Sequence, residues 1–211
     1  MANNEVQIAN VALLSLGQGM ITSMTQDDDS ARRVNAIFDQ VVEELEARDW
    51  FFNRAPVRRI SADGTDPSYG RYDYRFAIPS ECIFIRGICD QYSEHVRYEY
   101  VRIGQYIHCN QSPIYLLYNE RVKRSNGEPD ISKMPLWFHR LISARLAYIL
   151  APNVTENQRI RQKAELAWLA ELVTAKECNG EDGYVEGEEG NNSWRWGART
   201  YLETYSNGRY V

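Results

Sequence analysis

Apolar positions recur every three or four residues near both ends of this chain and alternate with polar ones in its middle. Between residues 5 and 16, Ile8, Val11, Ala12 and Leu16 stand at helical spacing, with Asn3 or Asn4 as cap and Gly17 as stop. A stronger pattern follows in "SARRVNAIFDQVVEELEARDWFFN", where Ala31, Val34, Ile37, Phe38, Val41 and Leu45 share one face. This second helix is expected to open near Thr25, with Asp28 three residues on and Asp27, Asp28 and Asp29 in a first turn that favours acids. Its other face carries Arg32, Arg33, Asp39, Glu43, Glu46 and Asp49, the layout of a helix with one buried side.

From residue 56 to 126 the period changes. The runs "RYDYRFAI", "CIFIRGI", "VRYEYVRI", "QYIHC" and "IYLLYNERV" read as short strands, broken by Gly64, Pro67, Gly70, Pro79, Gly104 and Pro113. Alternation in "RYEYVRI" predicts an antiparallel sheet with one partly wet face. Helical texture returns in "MPLWFHRLISARLAYILAP", opened by Pro135 and closed by Pro152, and in "TENQRIRQKAELAWLAELVTAKECNG". Thr155 and Gln158 form a capping box for the latter, and Gly180 its terminator.

Two helices before the strands and two after them predict an α+β fold. Residues 1–54 and 131–180 form an α-helical bundle, with an antiparallel β lobe inserted at 55–130. The expected common core of the bundle contains Ile37, Phe38, Val41, Trp137, Leu141 and Leu169. Residues 181–211 have glycines and acids but no period that builds a core, so they read as an extended C-terminal arm. Trp194, Trp196, Tyr201, Tyr205 and Tyr210 are unusual in a solvating tail and mark an arm that orders on a partner.

Composition narrows the role. The 211 residues suffice for one ordinary core or a core with a smaller lobe, and 44% apolar with 25% charged residues describes a soluble globular protein. Fourteen tyrosines and five tryptophans exceed what such a core needs, and surplus aromatic surface often serves interfaces. The net charge of -5 weighs against a phosphate-gripping protein. The start of the chain lacks the basic region of a secretory signal and no run is long enough for a membrane span, so a reducing cytoplasm is expected. Cys82, Cys89, Cys109 and Cys178 are then free thiols without C-x-x-C spacing.

No catalytic, cofactor or metal set is predicted. Asp27–Asp29 lack the frame of a calcium loop, and their place at a helix start explains them. Glu43, Glu44 and Glu46 read as a solvated face rather than as paired catalytic acids. His95, His108 and His139 have no metal spacing, and His108 and Cys109, adjacent on a strand, point to opposite faces. Nor is there a G-x-S-x-G elbow or a Walker loop. Arginines interleaved with acids suit polar subunit contacts better than nucleic acid, which makes Arg32, Arg33, Asp39, Glu43, Arg159 and Arg161 interface candidates.

The run "IANVALLSLGQGMITSMTQDDDSARRVNAIFDQVVEELEARDWFFNRA" resembles the N-terminal signature of the head-to-tail adaptors of tailed phages, including the tail tubular protein A of short-tailed phages. The similar features are an A-N-x-A-L-x-x-L-G helix, an I-T-S loop, an acidic turn before A-R, then Asn35, Asp39, Glu44, Arg48 and Trp50. It continues in "YRFAIPSECIFIRGI", "PIYLLYNERV" and "MPLWFHRLISARLAYILA", and so covers most of residues 6–178. The ending "RDWFFN" departs from relatives that place a proline before the Trp.

The resemblance implies a non-enzymatic virion protein assembled in the host cytoplasm. It implies a ring, usually dodecameric, between the portal protein and a tail nozzle or tail tube protein. Double-stranded DNA would pass through it without specific binding, and the C-terminal arm would dock on the portal. The alternative is a tail-associated saccharide or peptidoglycan hydrolase, an activity sometimes proposed for tail tubular proteins. That reading requires two carboxylates roughly 5 to 9.5 Å apart in a cleft.

Overall fold

Helix α1 spans Asn4–Ser15 and turns its Ile8, Ala9, Ala12 and Leu13 inward, with Leu16 buried just beyond it. Val11, expected on the inner face, is 57% exposed, because Ala9 and Leu13 take the inward positions beside Ile8 and Ala12. Gly17, at φ 73°, ends the helix in the left-handed conformation that glycine accepts most readily. These coordinates are a computed structural model, which describes residues 4–63, 70–90, 97–123 and 127–182.

Helix α2 covers Asp29–Glu46. It starts later than Thr25, since residues 22–26 form a turn of their own in which Thr22 donates from its backbone N–H to Gln26 Oε1 at 2.8 Å. The cap is Asp28, whose Oδ2 accepts the Ser30 N–H at 3.0 Å. Ala31, Val34, Phe38, Val41, Val42 and Leu45 are buried along one stripe, and Ile37 is half-buried at its border.

Among the described residues six strands follow: β1 (Arg58–Ile60), β2 (Tyr74–Ala77), β3 (Cys82–Cys89), β4 (Val101–Ile103), β5 (Tyr106–Cys109) and β6 (Ile114–Glu120). They form two antiparallel three-stranded sheets rather than one, in the orders β1-β6-β3 and β2-β5-β4. Arg58 pairs with Leu116, Ile88 also with Leu116, and Phe76 with Ile107. Phe76, Ile88, Ile107, Cys109, Ile114, Leu116 and Tyr118 make a core to which both sheets contribute. The central strand β5 is covered on both faces, with His108 and Cys109 both buried, so a wet face does not extend across that sheet.

After a short 3-10 turn at Ile131–Lys133, helix α3 runs Leu136–Val154 and α4 runs Gln158–Asp182. Pro152 sits within the last turn of α3 rather than ending it, and Thr155 is its C-cap. Asn157, not Thr155, starts α4: its Oδ1 accepts the Arg159 N–H at 3.0 Å, and its carbonyl accepts from Arg161. Gly180 is buried inside α4 and does not stop it. Along α4 the inward residues are Ala164, Trp168, Leu172 and Ala175, leaving Leu169 half-buried. Phe138 and Leu141 are buried in α3, whereas Trp137 is half-buried with its ring edge-on to Phe138.

The described chain divides into two compact units. One comprises residues 4–42 with 130–182, in which α1 lies against α3 and α3 against α4. The other comprises residues 43–129 and holds both sheets together with the last turn of α2. The fold is thus α+β, with four α-helices and two small antiparallel sheets among the described residues.

Candidate functional site

The charged residues expected at an interface are mostly engaged within their own unit. Arg32 pairs with Asp27 and, at 3.1 Å, with Asp29 at the start of α2. Arg33 Nη1 donates to the carbonyl of Asn153 at 2.7 Å. Arg161 donates through Nε to Thr155 at 2.8 Å and through Nη2 to Pro152 at 3.2 Å. Two guanidinium groups therefore converge on the end of α3, where helix carbonyls lack intrahelical donors and the dipole favours cations. Within the β unit Glu43 pairs with Arg121. Asp39 and Arg159 are exposed on α2 and α4. Most of these pairs are solvent-accessible and individually weak, so a partner can replace them at small cost.

The β unit contains a buried polar node that the sequence reading placed in solvent. Glu46 is fully buried, and one of its oxygens accepts the Val122 N–H at 3.2 Å while the other has no hydrogen-bond partner. Burial drives its carboxyl up from 4.5 to about 7, against the opposing Val122 N–H and Arg121, with Glu43 adding to the rise and Lys123 opposing it. Glu46 shares the stripe of Phe38 and Val42, at four-residue intervals, and that spacing was the available signal for its burial.

Around Glu46, side chains close the end of α2. Trp50 donates its indole N–H to the Leu45 carbonyl at 2.6 Å, and Asn53 Nδ2 donates to the Glu46 carbonyl at 3.1 Å. The Asn119 amide, fully buried on β6, reaches Asn53 Oδ1 at 2.7 Å and the Trp50 carbonyl at 3.0 Å. An asparagine within a strand is depleted by propensity, and its place near the end of β6 follows from donors that the 46–53 turn requires.

The helical unit has a groove of about 350 Å³ between α1, α3 and α4. Ala144, Ala147, Ala164 and Ala167 line it with the exposed Val11, and Arg140, Lys163 and Glu171 bring charge to it. Alanines three residues apart on each of α3 and α4 leave the space between helices unfilled.

Nucleophile and metal chemistry have little support among the described residues. The four cysteines are free, and burial raises the thiols of Cys82 and Cys109, which keeps them protonated near neutral pH. No group of three or more His, Cys, Asp or Glu side chains among the described residues is arranged to hold a metal ion. No described helix is long and apolar enough to cross a membrane. His95 and the arm residues Trp194, Trp196, Tyr201, Tyr205 and Tyr210 lie outside the described residues.

The sequence matches no protein-family model, and it matches no curated protein.

Proposed function

We propose that this chain is a structural protein of a tailed-phage virion, a head-to-tail adaptor. In this reading its helices form a bundle built from both ends of the chain, with the β unit inserted. Copies assemble side to side into a ring, usually dodecameric, between the portal and a nozzle or tube protein. Such a ring closes through heterologous contacts, for which Arg32, Arg33, Asp39, Glu43, Arg159 and Arg161 are the candidates. The aromatics Trp194, Trp196, Tyr201, Tyr205 and Tyr210 dock on the portal. Double-stranded DNA passes through the channel without specific binding, in keeping with the net charge of -5.

The observation that carries this reading is the joint use of the signature residues that suggested it. Asn10 of the A-N-x-A-L-x-x-L-G helix donates through Nδ2 to the Ile21 carbonyl at 2.9 Å and accepts the Ile21 N–H at 2.8 Å. The I-T-S loop is thereby tied to α1, and Trp50 ties the far end of α2 to the turn that leaves it. The signature spacing thus has a physical basis in this chain. The hydrolase alternative has less support, because Glu46, whose raised carboxyl would suit a general acid, is sealed from solvent.

Electron microscopy of the purified chain mixed with the portal protein of its own phage tests the proposal. Rings seated on one face of the portal are expected. Portals that stay bare at saturating chain, or release of reducing ends from bacterial polysaccharide that is lost on changing one Glu or Asp, would overturn it.

A further inference from the structure

We propose that the groove between α1, α3 and α4 is the resting seat of the chain's own aromatic segment at residues 194–196. The inference concerns the isolated subunit and does not depend on the adaptor reading. Its first basis is the groove itself, whose walls at Ala144, Ala147, Ala164 and Ala167 are small and apolar, with Val11 57% exposed at its edge. Apolar surface of this kind favours a large flat side chain, because a seated indole removes its own apolar area and that of the walls from water. The groove, at about 350 Å³, admits one such ring with part of its backbone.

The second basis is reach. Helix α4 ends at Asp182, whose Oδ2 accepts the indole N–H of Trp137 at 3.1 Å. Ala167 lies about 22 Å back along the helix axis at 1.5 Å per residue. The residues from 183 to 194 extend to about 40 Å, so the segment returns to the groove with slack.

The third basis is charge of both signs. Among the described residues neither Arg140 nor Lys163 has an ion-pair partner, and both line the groove. The connecting stretch carries Glu186, Glu188 and Glu189, which complement these cations. Glu171 on the same groove is matched by Arg195, placed between the two tryptophans. Arg–carboxylate complementarity supplies orientation in addition to the apolar driving force. A second copy of the chain would bring the same segment, but the slack of the connection gives the tethered one a far higher effective concentration.

The full-length chain with photoreactive benzoylphenylalanine replacing Trp196 tests the seat. It is irradiated at low protein concentration, and the monomer band is mapped by mass spectrometry. Adducts are expected on peptides that carry Val11, Ala144 to Ala147 or Ala164 to Ala167. Val11→Asp and, separately, Ala167→Glu should each lower that yield several-fold while lowering the melting temperature by no more than about 4 °C, since both positions are exposed and only the seat is lost. Adducts confined to other surfaces, or an absence of intramolecular adducts, overturn the proposal. Adducts in the groove found only in a crosslinked dimer band also overturn it and assign the groove to a second copy.

Discussion

Glu46 is buried at the end of α2 while Asp29, Asp39, Glu43 and Glu44 on the same helix reach solvent. Its carboxyl is raised to about 7, so the folded chain holds a proton there that the unfolded chain releases above about 4.5. Stability should therefore fall as pH rises from about 4.5 to 7, then level off, with a total near 3 kcal/mol. Glu46→Gln keeps the shape and removes the ionisation, so its unfolding free energy should lose that slope and exceed the parent's at pH 8. Denaturant titrations of both chains from pH 5 to 8 measure this, and an unchanged slope would assign the pH dependence to another group. Phe38 gives the apolar counterpart. At 3% exposure, truncation by Phe38→Ala should cost about 3–5 kcal/mol, read from the same titrations. Burial of Phe38 was legible from periodicity. That of Glu46 was not, because its charge outweighed its position on the apolar stripe, and only the closure by Trp50, Asn53 and Asn119 reveals why it is tolerated there.

Among the elements, long periodic segments were legible and their ends less so. All four helices and five of the six strands lie where the hydrophobic pattern puts them, whereas β1 escapes it. Arg58–Ile60 is three residues long with two arginines, and it is a strand because β6 offers it backbone partners. The displaced ends have local causes: Asp28 and Asn157 cap α2 and α4 in place of the predicted Thr25 and Thr155, and α3 continues past Pro152. Pro152 is accepted near the C-terminus of α3, where the carbonyls of residues 152, 153 and 155 receive Arg33 and Arg161. The tie between α1 and its following loop is testable by itself. Asn10→Ala would leave the N–H and carbonyl of Ile21 without their side-chain partner, costing about 1–3 kcal/mol. Amide hydrogen exchange should show the Ile21 N–H losing protection while amides in α4 change little, and an unaltered Ile21 rate would show that the loop is held by other contacts.

At the scale of the whole molecule, the α+β class follows from a 3.6-residue period at both ends and a shorter one between them. The split into two three-stranded sheets does not, because alternation marks a strand without naming its neighbour. The groove was likewise invisible, since it arises where alanines from two helices meet an outward Val11. The described residues of each unit bury an apolar core of their own. Deleting residues 193–211 should leave both cores folded and lower the melting temperature by no more than about 4 °C, the response to losing roughly 1 kcal/mol of groove contact in a chain of this size. If the adaptor reading holds, the same deletion should abolish stable attachment to the portal, because it removes Trp194, Trp196, Tyr201, Tyr205 and Tyr210 together, and aromatic anchors dominate the energy of most interfaces. Calorimetry and co-sedimentation with portal particles separate the outcomes. A large drop in melting temperature would place the aromatics in a core, and a truncated chain that still co-sediments would move the portal contact to the described units.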